Sequence, residues 1–338
     1  MTNKELAEEL GISAAALSLI INHKPGVSDK TRNNILEKLT TMGYDSLIKP
    51  VSTNDTKNIG FIIYKKHGKI LDLHPFFLLL METIETYTRK LGYHVILFTF
   101  DERQPINEQI DYLEKLQLKG AILFATEMEI EDMVPFKKIN FPIVALDNAF
   151  PNAPLTTIAI DNRMGTFQAI KRLTDVGITR IGYLKSTTRV SSFNEREEYY
   201  QKALKYFDNY FNSEDIIEVD YTEERSYRDF MAFLKSNRSL PGAFVCDDDT
   251  IASGALRALH ENGYNVPNDL SIIGFNNRPS TTITTPPLTS IEVPKNALAI
   301  SAVDELARII EQESLHYTKK VRIGTSLIEH QSVLGFNF

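Results

Sequence analysis

A chain of 338 residues is too long for one ordinary core and predicts two or three domains. With 43 % hydrophobic and 24 % charged residues it has a globular composition, no apolar run approaches the ~18 residues of a membrane span, and a single cysteine, Cys246, excludes an internal disulfide or a cysteine-held metal. The net charge of −7 does not announce a nucleic-acid binder, and residues 1–50 hold six Lys/Arg against six Asp/Glu, so any DNA contact must come from where charge is placed.

At the N-terminus, Glu5, Glu8 and Glu9 without an apolar stretch argue against a secretory leader, and a reducing cytoplasm is expected. Leu6, Ala7 and Leu10 share one helical face over residues 3–10, which Gly11 ends. Ser13 is the expected N-cap of a second helix reaching about Ile21 and turning Leu17, Ile20 and Ile21 inward. After a loop containing Pro25 and Gly26, Ser28 caps a third helix over residues 29–42, and Gly43 closes it. A small residue, a turn glycine and apolar anchors at this spacing suit a helix-turn-helix; a generic three-helix cap is the alternative.

From Asn58 the chain alternates short apolar runs with amphipathic stretches. Residues 59–64, 94–99, 120–124 and 142–146 read as buried parallel strands, separated by helices near 76–91, 106–116 and 129–138. The pattern restarts with strands at 157–160, 180–184, 216–219, 242–246 and 270–275 and helices near 162–175, 194–207, 223–235 and 250–261. Two successive series predict an α/β body of two doubly wound parallel-sheet lobes with a ligand cleft between them. No P-loop, dinucleotide fingerprint, nucleophile elbow or zinc-protease motif is present, so no enzyme activity, cofactor or catalytic residue is expected. The seven His residues lack metal-ligand spacing, and the run Asp247-Asp248-Asp249 is explained more simply by helix capping than by a cation.

The ordered motifs resemble the lactose-repressor/galactose-repressor (LacI/GalR) family along nearly the whole chain. In the head these are Lys4-Glu5-Leu6-Ala7, Gly11-Ile12-Ser13, Leu17-Ser18, Ile20-Ile21-Asn22 and Val27 to Arg32. In the body they are Asp161-Asn162 with Gly165, Gly177 to Gly182, Arg196 with Tyr199-Tyr200, Asp248-Asp249 with Gly254 to Leu259, Val266 to Asn277, and Thr285 to Ile291. The resemblance implies a periplasmic-binding-protein-like body and a second helix that enters the major groove, with Ser13, Ala14, Ala15, Ala16 and Ser18 toward DNA. Asn22, Ser28, Lys30, Thr31 and Arg32 would then approach phosphates. Three alanines offer methyl contacts to thymine and no hydrogen-bond readout. The linker lacks the family's hinge-helix pattern, because Pro50 interrupts it; Leu47 either wedges between bases or packs on the head.

The same resemblance implies effector contacts from Asp161, Arg196, Asp248 and Asn276, a donor and acceptor set suited to a polyhydroxylated ligand. His74, Phe76, Phe77 and Phe275 would supply the apolar platform, with core packing as the alternative for the phenylalanines and a structural ion pair as the alternative for Arg196. Acid and amide are exchanged relative to many members at Asp248 and Asn276, so no particular sugar transfers. The expected organisation is a helix-turn-helix head (residues 1–47), a linker (48–57) and an effector domain (58–338), the lobes being about 58–158 with 292–319 and 159–291 with 320–338. The expected function is a cytoplasmic, homodimeric, effector-controlled repressor binding double-stranded operator DNA, with no membrane partner. A transporter's solute-binding protein or a sugar or nucleotide enzyme are the alternatives.

Overall fold

The computed structural model describes residues 3–22, 24, 26–44, 47, 57–71, 76–236, 238–312 and 317–335. The chain divides into two compact units, Met1–Lys57 and Asn58–Phe338.

The first unit holds three helices, α1 (Asn3–Glu9), α2 (Ala14–Ile21) and α3 (Asp29–Thr41). Gly11 takes the left-handed turn between α1 and α2 at φ +71°, a conformation that costs glycine little. The Ser13 hydroxyl then accepts from the Ala16 N–H at 3.0 Å, and the Ser28 hydroxyl accepts from the Thr31 N–H at 3.2 Å, so both caps act as expected. Leu6, Ala7, Leu10, Leu17, Ile20, Ile21, Ile35 and Leu39 form the small core. Leu47 packs against that core beside Tyr44, matching the packed alternative. Of the linker, only Lys57 lies within the described residues, so the expected absence of a hinge helix falls outside them.

The second unit contains two six-stranded sheets. In the first sheet, strands β1 (Asn58–Lys65), β2 (His94–Asp101), β3 (Gly120–Phe124), β4 (Ile143–Leu146), β5 (Thr156–Ile160) and β11 (Lys320–Ile323) run parallel in the order β11-β5-β4-β3-β1-β2. Helices α4 (Phe76–Lys90), α5 (Ile106–Lys115) and α10 (Lys295–Glu311) belong to this lobe. The second sheet is built from β6 (Ile181–Ser186), β7 (Ile216–Val219), β8 (Ala243–Cys246), β9 (Ser271–Asn276), β10 (Thr289–Glu292) and β12 (Ser326–Ile328). Its order is β12-β10-β9-β8-β6-β7, parallel except for β12 against β10. Helices α6 (Asn162–Asp175), α7 (Ser191–Tyr206), α8 (Glu223–Leu234) and α9 (Asp249–Glu261) complete it. Among the described residues no helix is long and apolar enough to cross a membrane.

Three expectations are corrected. The helix expected at 129–138 is two 3-10 turns, Glu131–Met133 and Pro135–Lys138, because Pro135 has no N–H to continue an α-helical ladder. The strand expected to restart the pattern, β5, instead pairs with β4 and stays in the first sheet. Strand β11, expected in the second lobe, pairs with β5 instead: β5 is bonded to β4 on one side only, and the half-exposed, partly charged Lys320–Ile323 suits the open edge that remains. The chain therefore changes lobe after Ile160, after Glu292 and after Ile323.

Candidate functional site

The carboxyl ends of the parallel strands converge on the space between the two sheets, where open α/β sheets place their ligands. Asp147 follows β4, Asp248 follows β8 and Asn276 ends β9, and α7 enters with Val190, Ser192, Phe193 and Arg196. Together with Thr126, Ile160 and Tyr221 these residues line a cavity of about 30 Å³. Ile70 and Leu71 cover it from the loop after β1. That loop is held by one buried carboxylate: Glu127 accepts from the backbone N–H groups of Lys66, His67, Gly68 and Ile70 at 3.1, 3.1, 2.9 and 3.0 Å. A wider cleft of about 720 Å³ shares Val190 with the cavity and is edged by Lys66, His67, Asn148, Asn152, Arg189 and Glu195.

The charged groups are organised by the strand end at 247–249. The fully buried Asp247 carboxylate accepts from the Tyr183 hydroxyl at 2.5 Å, the Ser186 N–H at 2.7 Å and Arg189 Nη1 at 2.6 Å. Its backbone carbonyl accepts from Arg196 Nη1, and Arg196 Nε donates to Asn162 Oδ1 at 2.9 Å. The Arg196 guanidinium lies 3.6 Å from the Phe275 ring centre. Burial draws its pKa down, against the pull of Asp247, Tyr183, Asp248 and Asp147. Asp248 caps α9 by accepting from the Thr250 N–H at 2.8 Å, and it also takes the Asn276 amide and Arg278 at 3.1 Å. Across the cavity the Asp147 carboxylate accepts from Thr126 Oγ1 at 2.6 Å, and burial pushes its pKa up to about 6.

Of the residues singled out from sequence, Arg196, Asp248 and Asn276 come together in one cavity wall. Asp161 does not join them. Its carboxylate caps α6 by accepting from the N–H groups of Arg163 and Met164, both at 3.1 Å, and Ile160 faces the cavity instead. Phe275 is also corrected: it is 1 % exposed and sits in the core beneath Arg196, so it supports the guanidinium and offers no open platform. The apolar faces come from Phe124, Phe193 and Tyr221. His74 and the side chains of Phe76 and Phe77 lie outside the described residues. Asp147 and Thr126 were missed, although the position just past a buried strand was the available signal. Tyr221, Ser192 and Phe193 carry no such signal.

In the head, Ala14, Ala15 and Ser18 are exposed on α2, while Ala16 is half-buried. Most polar groups nearby are already engaged. Asn22 Nδ2 donates to the Ser18 carbonyl at 2.7 Å, and the Ser28 and Thr31 hydroxyls face each other at 2.8 Å. Arg32 donates to the carbonyls of Leu19 at 3.3 Å and Lys24 at 2.5 Å, which ties α3 to the end of α2. Arg32 therefore has a structural role in the head, and Lys30 is exposed.

Comparison with known proteins places these features. A family profile described as a periplasmic binding protein-like domain matches residues 170–333. The chain is 27 % identical over 340 residues to the HTH-type transcriptional repressor PurR of Actinobacillus pleuropneumoniae serotype 3 (strain JL03), covering 99 % of each chain. Among solved structures it is similar to a lac repressor dimer bound to operator and the anti-inducer ONPF, with a TM-score of 0.74, 21 % identity and 99 % of each chain covered. It is also similar to a transcriptional regulator CelR–cellobiose complex, with a TM-score of 0.73, 20 % identity and coverage of 98 % of this chain and 99 % of the other.

Proposed function

We propose that this chain, which belongs to the LacI/GalR family of transcriptional repressors, is a cytoplasmic homodimer that binds operator DNA through α2 and releases or grips it according to a sugar-like effector held between its lobes. The observation that carries the effector reading is the enclosed wall of Arg196, Asp248 and Asn276 facing Asp147 and Thr126, with Phe124, Phe193 and Tyr221 as apolar faces. Three guanidinium groups, Arg189, Arg196 and Arg278, stand among three carboxylates, Asp147, Asp247 and Asp248. A balanced, hydrogen-bonding cavity with apolar faces suits a neutral polyol better than a strong anion or cation. The effector would act by favouring one lobe orientation, and so one spacing of two heads on two half-sites.

The test is a thermal-shift screen of mono- and disaccharides followed by footprinting on the chain's own promoter region. A ligand present at 100 times its Kd is expected to add about 2.7 kcal/mol to stability. Arg196→Leu should abolish that shift. Lack of any sequence-preferring DNA binding, with or without the hit, would sink the proposal.

The occupied polar groups of the head lead to a second expectation. With Ser13 acting as a cap and Asn22 folded back on Ser18, α2 offers bases mainly the methyl groups of Ala14 and Ala15. Replacing contacted thymines by uracils in a footprinted site should weaken binding roughly fourfold per methyl, from about 0.8 kcal/mol for each buried methyl group. Equal affinity for both duplexes in an anisotropy titration would show that the helix reads no methyl groups.

A further inference from the structure

The two lobes are joined by an ion pair that connects, through one amide, to the arginine of the cavity. Arg322 lies in β11 of the first lobe, one residue before that strand ends at Ile323, and Glu195 lies in α7 of the second. The contact is bidentate, with Nη2 to Oε1 at 2.5 Å and Nη1 to Oε2 at 2.9 Å. Arg322 Nη1 also donates at 3.0 Å to the carbonyl of Ile160, the last residue before the first change of lobe. Asn162 starts α6 just beyond that point and is 2 % exposed. Its amide N–H donates to Glu195 Oε2 at 2.8 Å, and its carbonyl oxygen accepts from Arg196 Nε at 2.9 Å. The amide has one usable orientation. Turned over, it would set NH₂ against a guanidinium and C=O against a carboxylate.

We infer that Arg322–Glu195 is a latch on the lobe angle, and that Asn162 is the positioning residue that makes the latch sense Arg196. The inference rests on the reading that Arg196 holds the effector. The pair lies beside two of the three places where the chain changes lobe, so rotation of one lobe on the other must change its geometry. A ligand that draws Arg196 toward itself pulls Nε from Asn162, frees the amide to turn, and removes one of the hydrogen bonds that hold the Glu195 carboxylate square to Arg322. Coupling of this kind is a shift between two discrete arrangements, set by the difference in contacts each one makes.

The full-length, ligand-free protein suffices to test this. Asp111→Cys and Ala232→Cys place spin labels on exposed positions of the first and second lobes, and the native Cys246, 1 % exposed, stays unlabelled. Pulsed dipolar spectroscopy then gives the distribution of distances between lobes. Glu195→Ala and Asn162→Ala should each broaden and displace it, while Lys171→Ala, which breaks an exposed pair with Asp175 at 2.6 Å, should not. A far-UV circular dichroism spectrum and a cooperative urea transition like those of the parent in each variant separate a lost latch from a misfolded protein. An unchanged distribution in Glu195→Ala overturns the latch, and one in Asn162→Ala overturns the relay. Neither outcome depends on a saccharide being found, so failure of the effector reading shows separately in the thermal-shift screen.

Discussion

Asp247→Ala is expected to cost about 3–5 kcal/mol of stability, the range for removing one partner from a buried charged network. The carboxylate is completely buried and accepts three hydrogen bonds, from the Tyr183 hydroxyl, the Ser186 N–H and Arg189. Alanine leaves a phenol and a backbone N–H without an acceptor in a site closed to water, and leaves Arg189 with only Glu197, at 3.1 Å, for a charged partner. Against a typical domain stability of about 5–15 kcal/mol, that loss puts the second lobe close to unfolding at physiological temperature. Asp247→Asn keeps an acceptor and should recover part of the loss. The measurement is urea unfolding of all three proteins, and a deficit below about 1 kcal/mol for the alanine variant would remove Asp247 from the centre of this network.

Asp249→Asn is expected to do the opposite at neutral and alkaline pH. The carboxyl is pushed up to about 8, first by burial and then by the neighbouring Asp248. A Cβ on Gly274 would stand 2.1 Å from its Oδ1, so water has no room there. The sign follows from proton counts. Between an unfolded value near 4 and the folded value, the native protein holds a proton that the unfolded chain has released. Stability contributed by this group is therefore full below about pH 4 and falls as pH rises to about 8, by up to roughly 1.4 kcal/mol per unit. Asparagine reproduces the neutral acid, with its oxygen accepting from the Arg278 N–H at 2.8 Å and its NH₂ facing Ser290 Oγ at 2.6 Å. Urea midpoints measured from pH 5 to pH 9 should diverge in favour of the asparagine protein as pH rises. Parallel profiles would show that Asp249 does not titrate with folding.

Much of the architecture was legible because local physics and global fold agree. Ser13 and Ser28 cap the helices they precede, Gly11 turns where only glycine turns cheaply, and the apolar runs at 59–64 and 120–124 became buried strands. The segment at 129–138 failed where helical periodicity met Pro135, a residue whose backbone overrides the pattern. The relatives named as repressors agree with the reading of a DNA-binding regulator.

The candidate site divides differently. Arg196, Asp248 and Asn276 were found because strand ends and family motifs mark them, and all three line the cavity. Asp161 carries the same mark, yet its carboxylate folds onto its own helix, because two free N–H groups lie 3.1 Å away and a cap forms at little entropic cost. The family resemblance offered Phe275 as part of an apolar platform, with core packing as the alternative, and the core is where it sits; one residue of register separates core from cavity.

The sequence by itself thus determined most of the elements, the three-helix head, the two-lobed α/β body and the absence of a familiar catalytic motif, since these depend on periodicity, caps and motif order. Only the tertiary structure decided which lobe receives β5 and β11, which carboxylates reach the cavity, and that Arg196, Asn162, Glu195 and Arg322 form one chain of hydrogen bonds. Those four residues lie up to 160 positions apart. Their meeting depends on sheet order and on where the chain changes lobe, long-range choices that no local window of sequence encodes.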